Sequence, residues 1–362
     1  MRVIIYSSHN FPPMQAFAQG VEAHGDRVIS RNFSMYKSDS YEKCDVCIVF
    51  GMQKPVTTIF ENQRAHQTPV YVVDMGYVKR GTTQASRENP DDIYWSVGLN
   101  GLNGKAESVR ATPGDRWDKL KAPLQPWQAA GTGEYLLLCG QKNHDAALGD
   151  LDPFDFGFYV AARLRRTVEL SRLPLRYRPH PDSTSSRKIP HTEQVDSSIQ
   201  EDLAGASLVL AYNSNILTDA VIAGVPAVAL GSGAMIEPIA PVVQYDSMSD
   251  LEWGRELKAR LELRPDRQQW AHDLAYRQWN LTELADGAAW DFLKNGSERI
   301  SGSAMEGGVG GNNKHRASRK TGAAHKAQAK EPDLGIPDKA EPQDKTDHGA
   351  SGDGAAAAGT PR

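Results

Sequence analysis

The sequence predicts an α/β protein made of two doubly wound halves, followed by helices and a long polar tail. Three observations carry that expectation. Short apolar runs recur between Val3 and Ala229, bounded by turn-forming residues and separated by helix-length stretches, which is the pattern of strands covered on both faces of a parallel sheet. They fall into two similar blocks, divided by a stretch from about Leu99 to Glu134 rich in Gly, Pro, Lys and Gln, in which PWQAAGTGE is the best linker candidate. Beyond about Gly302 large apolar residues almost vanish, so the remainder cannot offset its ordering entropy and is expected to be disordered.

In the first block, Val3–Tyr6 reads as a strand, SSHNFPP as a loop, and Met14–His24 as a helix with Phe17, Ala18 and Val21 on one face. Strands recur at Val46–Phe50 and Val70–Asp74. Two of the three cysteines form Cys44-Asp-Val-Cys47 directly before Ile48. Redox pairs of this spacing sit at helix starts, and a zinc site needs two more ligands, which appear nowhere at suitable spacing. These thiols therefore read as small apolar side chains entering a buried strand, as does Cys139 inside YLLLC.

The second block opens with Tyr135–Cys139 and the loop GQKNHDAALGDLDP. A helix follows with Phe156, Val160, Leu164 and Val168 on one stripe, then a strand at Leu175–Arg178. The stretch EDLAGASLVLAYNSNILTDAVIAGVPAVALGSG, residues 201–233, reads as a βαβ unit: a strand from Ser207 to Tyr212, the turn Asn213-Ser214-Asn215, a helix closing at Gly224, and a strand from Ala227. Residues Asp266–Leu293 read as helical, with Asn280 and Glu283 spaced as a capping box that starts a new helix. Trp270, Trp279 and Trp290 need apolar cover, so these helices are expected to pack across the two halves.

Composition narrows the function classes. The chain has 362 residues and a formal charge of −4, with no global pull toward nucleic acid or anionic membrane. The start MRVIIYSSHNFPP lacks the features of a signal peptide, and no window approaches the ~18 consecutive apolar residues of a membrane span. The expected location is cytoplasmic. Within the tail, Lys314, His315, Arg316, Arg319, Lys320, Lys326 and Lys330 form a basic stretch, either a flexible arm for a polyanion such as DNA or a solubilising tail without a partner.

The chemistry concentrates in three loops at the C-terminal edge of the second sheet, where open parallel sheets bind ligands. The first starts at Gly140 and Gln141. The second, Arg178-Pro179-His180-Pro181, offers a guanidinium fork to a diphosphate, and its prolines restrain His180. The third is Asn213-Ser214-Asn215 with Thr218 and Asp219 behind it: free amides at a helix start hold a phosphate, and Asp219 can accept from a ribose. The reaction class read from these loops is transfer from a sugar nucleotide.

RPHP, followed by the βαβ stretch, resembles the C-terminal domain of GT-B glycosyltransferases, especially the capsule-polysaccharide (Kdo-transferase-like) group. Ser214, Asp219, Ala220, Gly224 and Pro226 fall on that group's pattern over about residues 135–235, with Asp219 where the family usually has Glu and Asn215 in place of a common Thr. The resemblance implies two Rossmann-like domains: 1–130 on the acceptor side, 131–298 binding the nucleotide-sugar and carrying the terminal helices, with 299–362 as the tail. It further implies that Ser214 and neighbouring amides hold the donor diphosphate, Asp219 the ribose, and Arg178 and His180 the phosphates or donor sugar. The nucleotide-sugar is then a co-substrate, with no resident cofactor.

An inverting transferase also needs a base for the acceptor hydroxyl. His9, in the loop after the first strand, and Asp74, at the end of the Val70–Val73 strand, are the candidates. No Asp-x-Asp motif lies in a suitable loop, so no catalytic metal is expected. A sugar-nucleotide 2-epimerase and a non-catalytic nucleotide-sugar or nucleic-acid binding module remain alternatives. The acceptor is a polysaccharide or a hydroxymethylated base in phage DNA. Deleting the chain from residue 302 is expected to leave the melting transition unmoved in scanning calorimetry; a substantial fall would show that the tail packs on the body.

Overall fold

An apolar run becomes a buried strand only where both its faces find cover, and here the cover comes from helices supplied in chain order. The computed structural model describes residues 1–296 apart from positions 9, 38–39, 144, 146, 150, 168–169 and 184–186. The expected tail lies outside the described residues. The first half comprises β1 (Arg2–Ser7), α1 (Pro12–Ala23), β2 (Arg27–Asn32), β3 (Val46–Phe50), α2 (Val56–Ala65), β4 (Val70–Met75), α3 (Thr83–Glu88), β5 (Tyr94–Leu99) and α4 (Asp115–Leu120). The second comprises β6 (Tyr135–Cys139), α5 (Pro153–Arg166), β7 (Leu175–Arg178), β8 (Glu193–Gln194), α6 (Ile199–Ala204), β9 (Ala206–Ala211), α7 (Ile216–Ile222), β10 (Ala227–Ala229), α8 (Asp250–Glu262) and α9 (Gln268–Ala275). A terminal segment follows: β11 (Gln278–Asn280), α10 (Leu281–Ala285), α11 (Ala288–Asp291) and a π-helical turn, Phe292–Gly296.

The first sheet has the order β11-β5-β4-β3-β1-β2, and the second β10-β9-β6-β7-β8. The second is parallel throughout. In the first, β2, β1, β3 and β4 are parallel while β5 and β11 run antiparallel to their neighbours. The strand order reverses between β1 and β3 and again between β6 and β9, so each sheet is doubly wound, as expected, with a crevice at the carboxyl ends of its strands. Alternate residues supply opposite faces: Val3, Ile5, Val46 and Ile48 enter one core while Ile4, Tyr6, Cys47 and Val49 enter another. The same division places Leu137 and Val209 on one face of the second sheet, Leu136 and Leu208 on the other.

The cysteines are buried thiols. Burial pushes Cys44 up to about 11 and Cys47 and Cys139 well above the ordinary thiol value, so all three stay protonated near neutrality. The predicted stripe on α5 is buried at Phe156, Val160 and Leu164; Val168 lies outside the described residues. Sequence patterning misses β2, β5, β8 and β11. The first is a half-exposed, polar edge strand, the second borders the stretch that reads as a linker, and β8 is two residues long.

Two expectations need correction. Residues Asp266–Leu293 are not continuously helical, because Gln278–Asn280 leave α9 to pair with the free edge of β5, placing Trp279 opposite Trp95. The capping box at Asn280 and Glu283 is present and restarts the helix just afterwards. Trp270 is buried in the second half's core and Trp279 and Trp290 in the first half's, so the terminal segment crosses between the halves as its tryptophans require. The stretch from Leu99 to Glu134 is likewise not a bare linker. It contains α4, whose Arg116, Trp117 and Leu120 are buried. Gly224 also touches it: its φ of +79° and the approach of the Pro126 carbonyl, 2.1 Å from where a Cβ would stand, leave room for no other residue.

Arg116 fastens the terminal segment. Its Nη1 and Nη2 donate to Glu283 Oε1 and Oε2, each at 2.8 Å, Nη2 also donates to the Gln278 carbonyl at 2.8 Å, and the guanidinium lies 3.7 Å over the Trp279 ring. Arg116→Ala strands a part-buried carboxylate and is expected to lower stability by about 3–5 kcal/mol, read as a fall in the urea unfolding midpoint; a loss below about 1 kcal/mol would refute this role.

Candidate functional site

The loops after β6, β7 and β9 meet at the carboxyl edge of the second sheet. Gln141 Nε2 donates to Asn213 Oδ1 at 3.0 Å and to Asp145 Oδ2 at 3.1 Å, joining the first loop to the third. Lys142 Nζ lies 3.0 Å from Asp182 Oδ2, joining the first to the second. Gly140 is buried against Tyr177, whose hydroxyl is 2.4 Å from where a Cβ would be, so a larger residue at the turn out of β6 would displace the Tyr177 ring. A cavity of 460 Å³ adjoins these loops, with Gln141, Asn143, Phe154, Tyr177, Pro179 and Arg187 among its lining.

The predicted site residues divide by what already holds them. Asn213 Nδ2 donates to the Ser232 carbonyl at 3.1 Å. The carbonyls of Ser214 and Asn215 accept from Leu217 and from Thr218 and Asp219, which winds the first turn of α7. Asn215 Nδ2 reaches across to the carbonyls of Gly76 (3.3 Å) and Tyr77 (3.1 Å) in the first half, while its buried Oδ1 has no partner among the described residues. Thr218 is 1% exposed, part of the buried side of α7.

Two predicted donor ligands carry partners that sequence reasoning did not foresee. Asp219 is gripped by Arg80 of the first half: Nη1 donates to Oδ1 at 2.9 Å and Nη2 to Oδ2. Any ligand of that carboxylate must share it with a guanidinium. Arg178 donates through Nη1 to Asp202 and to the Ser197 carbonyl. Asp202 is almost wholly buried, and a buried carboxylate demands a cation, so this side of the Arg178 fork serves α6.

His180 Nδ1 accepts from the Asp182 amide at 3.1 Å, which leaves the proton on Nε2 as a donor. Burial, with Lys142 assisting, lowers its pKa against the opposing charges of Asp182 and Asp145, so the ring is neutral at physiological pH.

Asp74 ends β4 and accepts from the Met75 amide at 2.7 Å. Its pKa is raised, first by burial and then by the charge of Asp145, against the lowering effects of the Met75 amide and of Lys142. Asp145 and Lys142 belong to the loop after β6, so Asp74 lies within electrostatic reach of the second sheet's loops. His9, the other candidate base, and His144 lie outside the described residues. Nothing in the sequence points to Arg80, since VKRG after Gly76-Tyr77 reads as a solvated charged turn; only its spacing from Asp74, along a chain leaving the same strand end, was available.

No family model and no curated protein matches the chain. Among solved structures it is similar to two of Thermosulfurimonas dismutans KpsC. One is the beta Kdo 2,4 transferase, at 14% identity over 75% of this chain and 90% of that chain with a TM-score of 0.49. The other is the beta Kdo 2,7 transferase, at 12% identity over 82% of this chain and 100% of that chain with a TM-score of 0.47. It is also similar to a Methanocaldococcus jannaschii UDP-GlcNAc 2-epimerase in complex with UDP-GlcNAc and UDP, at 13% identity over 83% and 99% with a TM-score of 0.34. Likenesses of this degree leave the chemistry of the site to its own residues. No helix of the described residues is long and apolar enough to cross a membrane.

Because the folded-state pKa of Asp74 lies above its unfolded value, the group favours folding below the unfolded carboxylate range, and this contribution is lost as pH rises through the raised pKa. Asp74→Asn is therefore expected to gain stability relative to the wild type between mildly acidic and neutral pH. Paired denaturation curves across that range check it; a gap that narrows with rising pH would contradict the raised value.

Proposed function

We propose that the protein is a glycosyltransferase of the two-domain GT-B type, moving a sugar from a nucleotide-sugar donor to a hydroxyl acceptor. The observation that carries this reading is the meeting of Gln141, Lys142, His180 and Asn213 at the carboxyl edge of one sheet, within electrostatic reach of a raised-pKa carboxyl, Asp74, at the carboxyl edge of the other. Residues 1–130 form the acceptor side and 131–298 the donor side, with the terminal segment reaching back to the first.

In this reading the amides around Ser214 and Asn215 hold the diphosphate, and His180 Nε2–H donates to a phosphate or to the donor sugar. Asp219 accepts from the ribose. Asp74 takes the proton of the acceptor hydroxyl, a task for which a carboxyl raised toward the working pH is better suited than an ordinary one; His9 is the second candidate. Charge developing on the departing diphosphate is stabilised by fixed donors. The nucleotide-sugar is a co-substrate, and the acceptor is a polysaccharide or a hydroxymethylated base in DNA.

The test is incubation with UDP-, GDP- and CMP-sugars, with and without oligosaccharide or hydroxymethylated DNA, while nucleotide release is followed. Release that requires acceptor is the expected result. Release without acceptor, together with an epimerised sugar, would replace transfer by epimerisation, and no release with any donor would count against both. Asp74→Asn is expected to lower kcat by about 10²–10⁴-fold with donor KM nearly unchanged; an unaltered kcat would remove Asp74 from the base role. Asp219→Ala is expected to weaken donor affinity by ~1–3 kcal/mol, measured by calorimetric titration.

A further inference from the structure

The donor loops supply few uncommitted positive charges. Lys142 pairs with Asp182 and Arg178 with Asp202, and α7 is only seven residues long. A diphosphate carries two or more negative charges, which a short helix start and neutral side chains compensate poorly. Two cations of the first half lie beside this place. Arg80 reaches α7 through its fork on Asp219. Lys105 is exposed and lies against Gly233, where a methyl group on the α-carbon would stand 3.2 Å from Lys105 Cε and 3.5 Å from Asn213 Nδ2. The two backbones touch at the same point, the Gly104 amide donating to the Gly233 carbonyl at 3.0 Å.

From this arrangement we infer that Lys105 of the first half completes the anion site of the second, neutralising the donor diphosphate, while Arg80 holds Asp219 of α7 in place beside it. The inference rests on the donor site proposed above and extends it. Arg80 is the positioning member: its fork sets both oxygens of Asp219 and brings a guanidinium to the first turn of α7. Lys105 is an exposed point charge beside Asn213 on a four-carbon stem, long enough to follow a phosphate that shifts during transfer. Both side chains belong to the half that carries Asp74, so that half supplies the candidate base and the groups that complete the anion site.

The probes are inorganic pyrophosphate and UDP, GDP and CDP, titrated calorimetrically into the full chain carrying Arg80→Ala, Lys105→Ala or both. Each single substitution is expected to weaken the best-bound probe about fivefold to tenfold and the pair about thirtyfold or more, with a shallower dependence on salt. Arg80→Lys is expected to restore only part of the pyrophosphate affinity, because it keeps the charge but loses the fork that sets Asp219. A purely structural tie between the halves would instead lower the melting temperature of Arg80→Ala and leave the affinity of the exposed-site variant Lys105→Ala untouched. Unchanged affinity in Lys105→Ala, with binding by the wild type, would overturn the inference while leaving the proposed function standing. Failure of the wild type to bind any of the four probes would overturn both.

Discussion

The guanidinium of Arg116 is the contact on which the arrangement of the two halves depends. It stands in a short helix of the connecting stretch and holds the end of α9 and the terminal segment together: the Ala275 carbonyl on one side, and the Glu283 carboxylate, the Gln278 carbonyl and the Trp279 ring on the other. With β11 fixed in this way, the wholly buried Gln278 side chain accepts from the amides of Tyr77 (2.8 Å) and Val78 (3.0 Å). That segment is the one whose carbonyls receive Asn215 and whose next turn carries Arg80 to Asp219. A structural ion pair is thus linked, through one amide side chain, to the segment that meets Asn215 and Asp219.

Much of the fold was legible because parallel strands leave a strong mark. Val46–Phe50 and Tyr135–Cys139 emerge with the bounds their apolar runs suggest, since a strand covered on both faces rarely tolerates a polar residue, while Leu175–Arg178 shows itself by alternation, Leu175 and Tyr177 buried and the two arginines half-buried. The elements that escaped are those whose stability comes from elsewhere. Gln278–Asn280 has no strand signal of its own and is a strand only because β5 offers an edge. Asp115–Leu120 lies in a composition that reads as linker and is helical because Trp117 and Leu120 are buried against the second half's core.

The site was legible in its backbone and less so in its charges. The turns after β6, β7 and β9 could be placed from glycine, proline and asparagine, because those residues answer to local geometry. Who neutralises whom is a long-range matter. Asp202 and Arg178, and Asp219 and Arg80, are paired across gaps that no short motif spans, and a carboxylate that reads as free in sequence is already occupied in space. The Asp74 carboxyl shows the same dependence: its shift comes from burial between strands and from a charge on the other half, neither of which a strand-end Asp announces.

The crossing of the terminal segment sets a constraint on biosynthesis. The ribosome delivers β11 last, so until the second half has been made the outer edge of β5 is unpaired and Trp95 and Tyr94 lack their facing strand. Exposed edges of this kind invite pairing with other chains. The first half therefore completes its sheet only after the second has left the tunnel, and severing the chain between the halves would leave an N-terminal fragment with a sticky flank rather than a free-standing module.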